Sequence, residues 1–156
     1  MNITEFQKSR FGLFIHWGIY SIPARGEWVR SNEEMKEEEY IPFANEFDPD
    51  LFDPHQWAKL AKAAGMKYAV MTAKHHDGYC MFDTKTTDWK ASRDYVREFL
   101  DAFREEGLKV GLYYSLLDWH HPDYPHYKDR HHPERNNPEY DKPIYFSNYL
   151  NYMHTQ

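Results

Sequence analysis

Gly65-Met66-Lys67-Tyr68-Ala69-Val70-Met71-Thr72-Ala73-Lys74-His75-His76-Asp77-Gly78-Tyr79 begins with a glycine and runs through an apolar segment. It ends in an ammonium, two imidazoles and a carboxylate. The segment from Met66 to Met71 reads as a buried strand, because a parallel strand is apolar on both faces. Polar groups bunched at the carboxyl end of such a strand sit where α/β folds place their sites.

Working outward, the pattern repeats. Upstream, Asp53-Pro54 opens a helix, with Asp as N-cap and Pro at its first position. Trp57, Leu60, Ala61 and Ala64 give that helix one apolar face, and Gly65 stops it. Downstream, Val96, Phe99, Leu100 and Phe103 give a second stripe of the same spacing, and Gly107 stops it. Leu108 to Ser115 then reads as another strand. Near the N-terminus, Phe11-Gly12-Leu13-Phe14-Ile15-His16-Trp17-Gly18 reads as a buried strand with His16 near its carboxyl end. Strands alternating with helices at this spacing predict βαβ units, a parallel sheet and an α/β fold. A last helix is expected from Pro143, with Ile144, Tyr145, Phe146, Tyr149, Leu150 and Met153 apolar, and no strand follows it.

Two polar stretches read as solvated. Ser31 to Tyr40, dense in Glu, is expected to be an exposed helical turn. The segment after Trp119, which carries His126, His131 and His132, is expected to be a surface loop. With 156 residues the chain has room for one domain. A net charge of −6, from 19 basic and 25 acidic residues, argues against a nucleic-acid partner. No window has the length of a membrane span, and the first residues lack the pattern of a signal peptide. Cys80 is the only cysteine, so no internal disulfide forms, and a cytoplasmic location is expected.

Three strands therefore end in polar or aromatic groups. These are His16, followed by Glu27 and Trp28 in the next loop, then His75 and His76, then Tyr114 to Trp119. Aromatic faces can cover the apolar side of a sugar ring while imidazole and carboxylate bond its hydroxyls. A metal-dependent barrel hydrolase, with His16, His75, His76 and a carboxylate as ligands, is the competing reading. It is disfavoured because neighbouring strand residues point to opposite faces, and the helical i, i+4 histidine pair is absent.

Phe11 to Gly18, Gly26-Glu27-Trp28, Lys74-His75-His76-Asp77-Gly78-Tyr79 and Tyr113-Tyr114-Ser115-Leu116-Leu117-Asp118-Trp119, in that order, resemble the α-L-fucosidases of glycoside hydrolase family 29. The resemblance implies a partial (β/α)8 TIM-like barrel, with residues 1–156 its N-terminal portion, ending before the fourth strand. It implies retaining hydrolysis of terminal α-L-fucose from a fucosylated oligosaccharide or glycoside, with no metal and no cofactor. Residues matching His16, Glu27, Trp28, His75 and His76 would bond fucose hydroxyls, while Phe14 and one of Tyr113 and Tyr114 would flank the methyl group. Strand alternation lets only one of that pair face the pocket, and Tyr114 is the one expected. The stretch from Thr87 to Asp94 looks shorter than the matching family loop. The family's nucleophile and acid/base belong to later strands, so no catalytic carboxylate is expected here. The chain alone would then be inactive, and a complementary C-terminal chain or segment would be its partner. A non-catalytic remnant that binds sugar weakly is the alternative.

Overall fold

The computed structural model describes residues 2–156. Helix α1 (Ile3–Ser9) is capped by Asn2, whose side chain accepts from the Glu5 N–H while the Glu5 carboxylate accepts from the Asn2 N–H. Strand β1 (Gly12–Ile15) follows, then a short loop, a single-turn helix α2 (Val29–Asn32) and α3 (Glu37–Glu46). Helix α4 (Pro54–Ala63) leads into β2 (Tyr68–Lys74), and α5 (Tyr95–Glu105) into β3 (Lys109–Tyr114). Helix α6 (Phe146–Thr155) is the last element.

The strands form one parallel sheet in the order β1-β2-β3. Sequential parallel strands joined by helices are the repeating unit of a (β/α)8 barrel, and the α/β expectation holds. Asp53 and Asp94 accept from the N–H groups of Gln56 and Arg97 and so cap α4 and α5, the first at the expected place. Gly65 and Gly107 end these helices with φ of 86° and 72°, a left-handed conformation that a side chain would strain.

The core lies between the sheet and these two helices. Ala69, Met71 and Ala73 of β2 meet Ala58 and Ala61 of α4 and Val96, Phe99 and Phe103 of α5, all buried. Helix α4 departs from the expected stripe. Ala58 and Ala61 pack inward, whereas Leu60 is 63% exposed. The alanines let α4 lie close to the sheet, and its buried face is rotated away from Leu60.

Strand β1 is shorter than the apolar run that predicted it, and Phe14 is 52% exposed. In register, Phe14 lies beside Val70, Val70 beside Gly111 and Thr72 beside Tyr113, so these residues share the sheet face opposite the helices. Among the described residues nothing covers that face at Phe14. In α6 only Tyr149 is buried, while Tyr145 and Phe146 of the predicted stripe stay exposed.

The two stretches read as solvated are partly inside. Tyr40 of α3 is buried, as are His126 and His132 of the long loop. Ser31 Oγ donates to the His131 carbonyl (2.7 Å), and Arg135 donates to the Ser31 carbonyl (3.2 Å) and the Glu34 carboxylate (2.7 Å). The loop is thereby tied to α2, across a sequence separation that local composition cannot report.

Candidate active site

The carboxyl ends of the three strands carry a continuous cluster of rings. The His16 ring centroid lies 4.8 Å from that of His75, and His75 lies 4.1 Å from His76. The Trp28 ring meets His76 edge-on at 4.7 Å. Phe14 lies 5.8 Å from His16 on its far side. Glu27 is half-buried and lies near enough to His76 and the Tyr20 hydroxyl to influence both. Six of the seven residues predicted for the site are therefore together.

Tyr114, the one of the pair expected to face the pocket, is the exception and lies outside this cluster. The Tyr113 ring is the one beside Phe14, His16 and His75, at 6.1, 6.2 and 6.0 Å. Tyr114 lies under the Lys74 ammonium, 4.8 Å from ring centroid to Nζ, and lines a groove with Ala73, Val96 and Leu100 on the helix side. The physical reason is register. Tyr113 pairs with Thr72 on the open face, and an irregularity between Thr72 and Lys74 then sets Lys74 opposite Tyr114.

A buried polar layer supports these rings. Lys74 Nζ donates to Asp118 Oδ2 (2.7 Å), both side chains being almost wholly enclosed, and Asp118 Oδ1 accepts from the N–H groups of His120 (3.0 Å) and His121 (2.9 Å). Gly78 is packed so tightly against this carboxylate that a Cβ there would come within 2.6 Å of Asp118 Oδ1. Asp77 accepts from the Tyr40 hydroxyl (2.9 Å) and the Tyr79 N–H (3.0 Å). The His76 carbonyl accepts from the Trp119 N–H (2.6 Å), and His76 Nδ1 lies 2.5 Å from Ser115 Oγ.

This enclosure sets the charges. Burial, helped by the neighbouring His76, His16 and Lys74, lowers the His75 pKa to about 2. Burial and the Lys74 charge lower that of His76 to about 4, against the opposing pull of Glu27. Both imidazoles are therefore neutral at pH 7, able to donate or accept a hydrogen bond. Burial raises Asp77 to about 6, although its hydrogen bonds to Tyr79 and Tyr40 favour the charged form.

The sequence placed His131 in a surface loop, whereas its ring stands edge-on 5.3 Å from Trp28. It sits in a loop without periodicity, so nothing local marked it. Ser115 lay inside a quoted motif but had no role there. Among the described residues no group of three or more His, Cys, Asp or Glu is placed to hold a metal ion, and no helix is long and apolar enough to cross a membrane.

Comparison with known proteins accords with this geometry. The α-L-fucosidase family model matches residues 2–156. Rat tissue α-L-fucosidase is 39% identical over 141 residues, covering 76% of this chain and 30% of the relative, and the human tissue enzyme is 36% identical over the same length. The solved structure of α-L-fucosidase isoenzyme 1 from Paenibacillus thiaminolyticus superposes with a TM-score of 0.96 at 61% identity, covering 99% of this chain and 38% of that one. A variant of the α-L-fucosidase AlfC in complex with Fuca(1,6)GlcNAc matches at a TM-score of 0.84 and 34% identity, over 96% of this chain and 54% of that one. This chain spans about 30% of the length of the curated relatives it matches. With its full described length matched by one family, and its strand-end ring cluster set on that family's fold, the chain belongs to the α-L-fucosidase family.

Proposed function

We propose that this chain provides the fucose-holding part of a retaining α-L-fucosidase, acting on terminal α-L-fucose of fucosylated oligosaccharides or glycosides in carbohydrate breakdown. The observation that carries this reading is the convergence of His16, His75, His76, Trp28, Phe14 and Tyr113 at the carboxyl ends of three parallel strands. Neutral imidazoles and Glu27 bond the sugar hydroxyls. Phe14 and Tyr113 cover the apolar edge that bears the methyl group.

Retaining hydrolysis uses two carboxyl groups about 5 to 5.5 Å apart, one as nucleophile and one as acid/base. Asp77 and Asp118 are unsuited to either role, since each is buried and already holds its hydrogen-bond donors. Of the three strand-end carboxylates only Glu27 is not buried, and one carboxylate cannot perform both steps. The reacting pair therefore comes from a segment carrying later strands, which is the partner this reading requires. The single, buried Cys80 favours a cytoplasmic site of action, and export of the native protein would overturn that part.

The test is release of a chromogenic aglycone from an aryl α-L-fucoside. The 156-residue chain alone should release none. The chain joined to a segment carrying the later strands should be active, and in it His76→Ala should lower kcat/KM by roughly tenfold or more. Turnover by the chain alone, lost on Asp77→Asn or Asp118→Asn, would reassign the nucleophile. An active assembly indifferent to His76→Ala would remove that residue from the pocket.

A further inference from the structure

Ser115 begins the turn that follows β3, and its hydroxyl has three groups around it. Ser115 Oγ donates to the Leu117 carbonyl (2.9 Å) and accepts from the Leu117 N–H (3.0 Å). The third group is His76 Nδ1, at 2.5 Å. A hydroxyl has one proton and two lone pairs. The proton goes to the Leu117 carbonyl and one lone pair faces the Leu117 N–H, so the remaining lone pair faces His76 Nδ1.

We infer that Ser115 is a positioning residue that holds His76 with its proton on Nδ1, leaving Nε2 as a bare acceptor for a hydroxyl donated by the sugar. The imidazole is neutral at pH 7 through burial and the Lys74 charge, so a proton on Nδ1 means none on Nε2. Ser115 is itself buried, and the turn to Leu117 fixes its Oγ. Lys74, which bonds the Leu117 carbonyl at 3.3 Å as well as Asp118, fixes the far end of that turn. The direction of the contact is thereby built into the fold. A ligand presenting only an acceptor there, such as a deoxyfluoro sugar, meets lone pair against lone pair. The acceptor role at Nε2 rests on the fucose-pocket reading, whereas the position of the proton does not.

Nitrogen NMR of the histidine-labelled 156-residue chain at neutral pH, with His76 assigned through His76→Gln, reads the tautomer without any ligand. The proton should be on Nδ1 in the native chain and in Ser115→Thr, and should shift towards Nε2 in Ser115→Ala. A proton on Nε2 in the native chain overturns the inference, whatever the variants do. In the assembled enzyme, Ser115→Ala should lower kcat/KM about tenfold, Ser115→Thr should restore it, and Ser115→Ala should have no further effect once His76 is Ala. Additive losses would show that Ser115 acts elsewhere than through His76, and would overturn the positioning role. An Nδ1 proton in a protein inactive on every fucoside would uphold Ser115's hold on the ring and refute the fucosidase reading instead.

Discussion

His75, His76 and Asp77 are three successive buried residues whose ionisation behaves in opposite senses. The histidines have folded pKa values near 2 and 4, below their ordinary 6.5. A group depressed in this way contributes its full stability above the unfolded value and loses it as pH falls through the folded one. Asp77, raised from 3.8 to about 6, contributes fully below 3.8 and loses that contribution as pH rises through 6. Between pH 6 and pH 4 the aspartate therefore offsets part of the histidines' acid loss. Removing its titration should make the acid loss steeper. Thermal melts of Asp77→Asn against the native chain should show a larger drop in Tm from pH 6 to pH 4, and an equal or smaller drop would contradict the assignment of the raised pKa to Asp77.

At the level of elements, the helices were legible in the sequence because their signals are local. Asp53-Pro54, Gly65 and Gly107 act within one turn, and each is found capping or stopping a helix. What failed depended on distant partners. Leu60 fits the i+3 position of the α4 stripe, yet it is exposed, because Ala58 and Ala61 set which side of α4 meets the sheet. That Tyr113 and not Tyr114 joins the ring cluster was not legible, because a register irregularity against β2 is invisible within β3 itself. The loop histidines were read as solvated because the ties from Ser31 and Arg135 span about a hundred residues. The packing argument has a direct check in chemical denaturation. Phe99→Ala, at a fully buried position of α5, should cost about 3–5 kcal/mol, whereas Leu60→Ala should stay within about 0.5 kcal/mol. Comparable losses from both would mean that α4 packs as its sequence periodicity suggested.

For the molecule as a whole, three parallel strands carry two faces with different work. The helix side holds the core, and the other side, with Phe14, Val70, Thr72, Gly111 and Tyr113, leads up to the ring cluster. Most of the candidate site was legible in the sequence because its chemistry-bearing residues lie at strand ends, where position along the chain nearly dictates position in the fold. Ser115 and His131 were not, since their roles come from contacts across loops. The central claim is that the rings of His16, His75, His76, Trp28 and Tyr113 form a fucose pocket. A crystal structure with a fucose-configured iminosugar bound to the assembled protein tests it most directly. The ligand's hydroxyls should lie within hydrogen-bond reach of His16, His75 and His76 Nε2, with its methyl group between Phe14 and Tyr113. A ligand seated instead in the groove of Ala73, Leu100 and Tyr114, or one whose methyl group touches neither Phe14 nor Tyr113, would contradict the account.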